Sequence, residues 1–369
     1  MKIECTQEKL SQAIQLVAKI STPKATLPIL GNLLITTQKG GLKISATDLE
    51  IGITTWIGAK TNQEGSLTVP TRLLSEFVST NSDKNILLEG TENNLKLKSE
   101  HFSANIKGIE ASEFPIIPEV KSNFSFSVPK TLLSEAISQT VFSTALDDTR
   151  PVLTGVLFKI DKNLVKVVAT DSFRLAEKTI NLAKPTTKKA EFIIPAHALQ
   201  EVVRILSVAE LNVEISVSPN QVMFNFGHGT ELVTRLVDGE FPDYTQIIPQ
   251  TKKTSVVVVK KEVVSAIKMA SFFARESANN IKMVATAGKD LKIIAISPQL
   301  GDNTSQVSAK IEGEEIEISF NAKYLLDALS IIEGDTVLFE LNGKFSPGVL
   351  KPDKNKDYLY IIMPLRLEE

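Results

Sequence analysis

Apolar residues recur along this chain in two alternating rhythms. Leu10, Ala13, Ile14 and Val17 fall at helical spacing behind Thr6, a residue type suited to capping a helix, with Glu8, Gln12, Gln15 and Lys19 on the other side. Lys2–Cys5 before them, and Ile29–Thr36, Leu42–Ala46 and Leu49–Ile57 after them, read as strands, with Gly40-Gly41 as a hairpin turn. Ser66–Val69 is a further strand. Pro70, with its fixed φ and missing donor, then opens a helix whose predicted buried stripe is Leu73, Leu74, Phe77 and Val78. Ile86–Glu89, Leu95–Ser99 and Ser103–Ile109 alternate as strands around the turn Glu92-Asn93-Asn94.

The same programme then runs again. Lys43–Ile51 and Lys166–Leu175 both read as a strand closing on Ala-Thr-Asp, and Asp48 and Asp171 stand 123 residues apart (171 − 48). That offset also relates Ala13-Ile14 to Ala136-Ile137 and Pro28 to Pro151, so the match is colinear and marks an internal repeat. A more diverged third copy brings Ala266-Ile267 and Ala295-Ile296-Ser297. Pro129 and Pro195 precede helices in the second copy; Asn321 caps one in the third, and Asp357–Leu367 reads as a closing strand. Phe241-Pro242 stands where Phe114-Pro115 stood, but Asp243-Tyr244-Thr245-Gln246 intervenes before the matching Ile-Ile-Pro, an insertion particular to copy two. The expectation is an α+β chain of three domains, 1–120, 121–250 and 251–369, each with two helices on one face of antiparallel sheets.

Composition narrows the chemistry. The net charge is −2 and the balance is similar in each third, so no third is a basic module. Any positive field on nucleic acid must come from how Lys9, Lys19, Arg72, Lys130, Arg204, Lys261, Lys268 and Lys323 are arranged on the helices; taken alone, those residues describe an ordinary solvated face. Cys5 is the single cysteine, which leaves no intrachain disulfide and fits a reducing compartment. No apolar run reaches signal-peptide or membrane-spanning length, so a cytoplasmic protein without a membrane is expected.

His101, His197 and His228 share no metal-ligand spacing, and phosphate-binding glycine loops and a nucleophile elbow are missing. Asp48 and Asp171 could serve an enzyme with a cleft between domains. Equivalent positions in successive repeats lie one domain apart, however, beyond the roughly 5–10 Å that paired carboxylates need. An Asp bonding turn amides is the simpler reading, and neither a catalytic residue nor a cofactor nor a metal is expected. A repeat-built scaffold that ignores DNA is a third possibility.

Five motifs in order decide among these. Thr26–Leu34, Ala46–Glu50, Ala169–Ala176, Val237–Tyr244 and Tyr360–Leu367 closely resemble the processivity subunits of bacterial DNA polymerase III, the β sliding clamps, and the resemblance spans residues 1 to 367. It implies a head-to-tail homodimer closed into a ring of six similar domains, with helices lining a hole for double-stranded DNA of any sequence. Such a ring is a tether for DNA replication and not an enzyme. Its implied partners are the DNA polymerase III α subunit, the clamp loader, other DNA polymerases and repair proteins, which insert a short peptide between the second and third domains.

Carried over by motif, that peptide site comprises Leu153, Thr170, Ser172, Phe173, Arg174, Leu175, Pro242, Gln246, Ile247, Ser346, Ile361, Ile362, Met363, Pro364, Leu365 and Arg366. Phe173 and Gln246 replace the His and Arg of the best-known members, which implies a more apolar, less cationic pocket. Glu368-Glu369 extend past the usual terminal Leu. The resemblance also implies duplex contacts at Lys24, Arg150 and Lys282. It places ring closure at Ile106 on one subunit against Phe272 with Phe273 on the other, next to paired edge strands.

Overall fold

The computed structural model describes residues 1–22, 27–38, 40–91, 93–122, 124–186, 188–355 and 357–365. Among them are six α-helices: α1 (Gln7–Ala18), α2 (Thr71–Thr80), α3 (Lys130–Thr140), α4 (Ala196–Ile205), α5 (Lys260–Ala274) and α6 (Ala322–Ile331). Two fall in each copy of the repeat, as the periodicity predicts. In α1 the buried residues are Leu10, Ala13, Ile14 and Val17, and in α5 they are Val263, Ala266, Ile267, Ala270 and Ala274. Burying one such Leu, Ile or Val stabilises the fold by about 1.5–3 kcal/mol, enough to hold helices this short.

The helix starts differ from the expectation. Thr6 occupies the N-cap of α1 without a side-chain cap bond. The first free amide is satisfied across the fold: the N–H of Gln7 donates to the Lys84 carbonyl at 2.9 Å. Lys130 to Leu211 (2.9 Å) and Lys260 to Asp335 (2.8 Å) repeat the device. Asn321 does cap α6, its Oδ1 accepting from Lys323 and Tyr324. Pro70, Pro129 and Pro195 each end the preceding strand, one residue before the helix. In α2 the inward residues are Thr71, Leu74 and Val78, whereas Leu73 is 53 % exposed, because the helix is rotated toward its Thr71 face.

Backbone packing forms two units, Met1–Thr131 with Gln200–Leu236, and Leu132–Leu199 with Val237–Glu369. They cut across the repeat because strand pairing continues from one copy into the next. In the first unit an eight-stranded antiparallel sheet runs Phe124–Pro129, Asn212–Val217, Gln221–Asn225, Glu231–Arg235, Ile51–Gly58, Gly41–Thr47, Asn32–Gln38, Gly65–Pro70. A five-stranded sheet ending on Ser103–Lys107 completes it.

In the second unit a nine-stranded sheet repeats that order in eight of its strands and adds a ninth, Ala309–Gly313, beyond Thr254–Val259. Tyr358–Ile362 pairs with Arg174–Asn181 as Glu231–Arg235 pairs with Ile51–Gly58. A four-stranded sheet ends on Gly301–Val307. The register obeys the repeat to the residue: Leu34 faces Ser45 and Leu157 faces Val168; Gly52 faces Val233 and Leu175 faces Ile361. The last strand stops at Ile362 rather than Leu367, since Pro364 has no N–H to offer a ladder. The turn residue Glu92 and the tail 366–369 lie outside the described residues.

Candidate peptide-binding site

The Ala-Thr-Asp motif folds into one turn, twice. Asp48 Oδ1 accepts the amides of Glu50 (3.0 Å) and Ile51 (2.7 Å), while the Thr47 hydroxyl donates to the Ile51 carbonyl (2.8 Å) and accepts from the Leu49 amide (3.1 Å). At 123 residues on, Asp171 Oδ1 accepts from Phe173 and Arg174, both at 2.9 Å, and Thr170 bonds the Arg174 carbonyl (2.7 Å) and the Ser172 amide (3.1 Å). In the third copy Ser297 Oγ takes the Asp role, accepting from Gln299 (3.3 Å) and Leu300 (3.1 Å). These side chains are occupied in holding turns, which is the simpler of the two roles the sequence offers them.

The second turn carries more than the first. Arg174, 9 % exposed, donates from Nε to Asp171 (3.0 Å), from one terminal nitrogen to Asp327 of α6 (2.6 Å) and from the other to the Phe142 carbonyl (2.9 Å). Its guanidinium lies 4.4 Å from the centroid of the Tyr324 ring. Burial opposes the charge on Arg174, yet the bond to Asp327 and the nearby Asp171 outweigh it and hold its pKa above the ordinary arginine value. Tyr360 donates to the Tyr324 carbonyl at 3.0 Å, so strand, turn and α6 are braced together.

Around this brace stand most of the predicted pocket residues. Thr170 faces Leu175, Leu175 faces Ile361, Arg174 faces Ile362, and Ile362 faces Gly348, two residues after Ser346. The Met363 amide donates to the Phe173 carbonyl (2.9 Å), which keeps the chain end beside the turn; the Leu365 amide turns away to the Ser319 carbonyl (2.9 Å). Leu153, Thr170, Arg174, Leu175, Ile361 and Ile362 are buried; Met363, Pro364, Leu365 and Ser346 are half-buried; Ser172, Phe173, Pro242, Gln246 and Ile247 are exposed. Phe173 is 61 % exposed, and Phe345, which the sequence did not single out, is 59 % exposed.

The copy-two insertion explains itself here. Asp243 caps the short 3-10 turn Tyr244–Ile247, accepting from the Thr245 amide (3.1 Å) and hydroxyl and from Gln246 Nε2 (2.9 Å). The Thr245 hydroxyl, then Gln246, depress the Asp243 pKa. That turn lays the Tyr244 ring over a cluster of Leu157, Val168, Leu175, Ile193 and Ile361. The Tyr244 hydroxyl donates to Glu177 Oε2 (2.6 Å), whose other oxygen accepts from Lys166 (2.9 Å). Burial first, then Glu177, pushes the Tyr244 pKa well up.

The remaining predicted residues are scattered. Arg150 is exposed, with one guanidinium nitrogen 3.5 Å from Ser172 Oγ. Lys282 sits on a strand of the four-stranded sheet and pairs with Glu317 at 3.3 Å. Ile106 is 6 % exposed within its own sheet, Phe273 packs against the core of its unit, and Phe272 is 52 % exposed. Lys24 and Arg366 lie outside the described residues. Of the helix cations, Lys9, Lys19, Arg72, Lys261, Lys268 and Lys323 are exposed. Arg204 donates to the Leu16 carbonyl (2.5 Å) and Lys130 to that of Ala209 (2.8 Å). Asp327, Tyr324 and Phe142 are invisible to sequence patterns because nothing local to them signals a partner 32 to 153 residues away.

Strand-rich modules repeated along one chain, with amphipathic helices and sheets that run on from copy to copy, define the architecture of a DNA clamp. The chain belongs to the DNA polymerase III beta subunit family, the β sliding clamps: residues 1–118 match its N-terminal domain, 127–243 its central domain and 245–366 its C-terminal domain. It is 32 % identical to the beta sliding clamp of Bacillus subtilis, over 99 % of this chain and all of that one. It is likewise 32 % identical to that of Staphylococcus aureus over 94 % of each. Among solved structures, the DNA polymerase sliding clamp from Bacillus subtilis superposes with a TM-score of 0.95 at 31 % identity. The DNA polymerase III beta subunit from Thermotoga maritima superposes at 0.92 and 30 %, and both matches cover the whole of each chain.

Proposed function

We propose that this protein is a non-catalytic sliding clamp: it closes as a head-to-tail dimer around duplex DNA, in the cytoplasm, and tethers the replicative polymerase. The observation that carries the reading is the whole-length superposition on sliding clamps at a TM-score of 0.95. In this reading the chain divides into clamp domains at 1–120, 121–250 and 251–369. The near-neutral charge suits sliding, because a few scattered lysines attract phosphates without regard to sequence, whereas a dense basic patch would grip.

Polymerase III α, the clamp loader and repair proteins dock, in the same reading, on the surface at Arg174, Phe173, Ile247 and Met363. Apolar walls with a few polar anchors suit an extended peptide. Met363 and Leu365 are half-buried there and hold no side-chain hydrogen bond, so truncation removes contact area without unfolding the strand. Replacing both with Ala should weaken binding of a polymerase C-terminal peptide about tenfold or more, measured by fluorescence anisotropy, with unchanged circular dichroism. Undiminished affinity would place the peptide elsewhere.

A further inference from the structure

The surface that Tyr244 covers has a counterpart in the first unit. There, Leu34, Ser45, Gly52 and Val233 occupy the sheet positions held by Leu157, Val168, Leu175 and Ile361 in the second. Their surroundings differ. Leu157 is 1 % exposed beneath the Tyr244 cluster, whereas Leu34 is only half-buried and opens into a cavity of about 610 Å³.

Two sequence differences make that hollow. Ser45 and Gly52 are smaller than Val168 and Leu175, and the lid segment Phe114–Pro118 lacks the four residues that carry Tyr244 inward. Ile117 recovers part of the space, since a Cβ on Gly52 would stand 2.7 Å from its Cγ2. The rest stays open, and Ile116 on the lid is 92 % exposed at its mouth.

The polar fittings are also present. In the second unit the ring hydroxyl is received by Glu177 with Lys166 behind it. In the first unit Lys43 stands at the position of Lys166, and Glu231, which lines the cavity, faces Thr54, the position of Glu177, from the neighbouring strand. A carboxylate and a lysine therefore remain on the polar side of the slot, whose apolar side is Leu34, Val233 and the Phe114 ring that packs in one cluster with Leu34.

From this we infer that the first unit carries a second docking site, a slot for a tyrosine side chain presented by a partner polypeptide, its ring over Leu34 and Val233 and its hydroxyl donating to Glu231. The occupant is read from the molecule's own repeat, where Tyr244 fills the corresponding place. This surface shares no residue with the proposed peptide groove, so the two readings stand or fall separately.

The test uses full-length protein with labelled methyl groups and N-acetyl-tyrosinamide, N-acetyl-phenylalaninamide and N-acetyl-leucinamide as probes. Tyrosinamide should shift the methyl resonances of Leu34, Met223 and Val233 saturably, bind at least fivefold more tightly than leucinamide, and exceed phenylalaninamide. Met223→Trp, which fills the slot from a half-buried lining position, should weaken both aromatic probes at least tenfold. Glu231→Ala should remove the preference for tyrosinamide over phenylalaninamide and leave the latter's affinity unchanged. Absent shifts at those methyls, equal response to leucinamide, or indifference to Met223→Trp would each overturn the slot; an intact tyrosine preference in Glu231→Ala would overturn the assigned hydroxyl partner.

Discussion

At the scale of single residues, the repeat persists as a set of hydrogen bonds rather than as a string of identities. Thr47-Asp48 and Thr170-Asp171 make the same four bonds, and each turn forces the residue after the Asp to left-handed backbone: Leu49 at φ 83° and Ser172 at φ 77°. A leucine in that region costs about 1–2 kcal/mol, which glycine escapes. Because the Leu49 side chain is 43 % exposed, little packing is lost on truncation. Leu49→Gly should therefore raise the stability of the first unit by about 1 kcal/mol, read as a higher urea midpoint at unchanged slope; a lower midpoint would mean the turn is not strained. The Asp turns were legible in the sequence because Asx chemistry is local. The Arg174 brace was not: its partners Phe142 and Asp327 are distant in the chain, and only the fold brings them within bonding range.

Among elements, six helices and the strands flanking them follow from periodicity, and the prolines at 70, 129 and 195 mark where strand gives way to helix. What periodicity could not show is that the sheets ignore the repeat boundaries, since backbone pairing between copies leaves no trace in apolar spacing. The rotation of α2 that exposes Leu73 was likewise hidden, because Leu73 and Leu74 are indistinguishable to a count of apolar positions. The link between the turn at 171 and α6 is the element-scale feature with the clearest energetic signature. Asp327→Ala leaves the buried Arg174 with Asp171 as its one carboxylate partner among the described residues. The loss should be about 2 kcal/mol, short of the 3–5 kcal/mol seen for fully buried pairs because Asp327 itself is a third exposed. Urea unfolding of the second unit measures it, and a change near zero would mean that Asp171 alone satisfies the guanidinium.

For the molecule as a whole, Ser103–Lys107 and Gly301–Val307 end their sheets, with no further strand paired to them among the described residues. Unpaired ladders of this kind invite strand addition, and in the clamp reading they are where two chains meet. The native particle should then weigh twice 40.4 kDa. Phe272 is the cleaner of the two aromatics for probing that contact, as Phe273 serves the core. Phe272→Ala should shift the particle toward monomer on dilution in analytical ultracentrifugation while leaving its circular dichroism unchanged. The family and its architecture were readable from five motifs in register; the duplex contacts at Lys24, Arg150 and Lys282 rest on the resemblance alone, since weak attraction to phosphates imposes no motif on the residues that supply it.

Loading onto nicked circular DNA followed by a wash at about 1 M salt, where the screening length falls to about 3 Å, removes proteins held by charge and spares those held by topology. Protein retained through the wash and released when the circle is cut once is the result a closed ring predicts; equal retention on linear and circular DNA would contradict it.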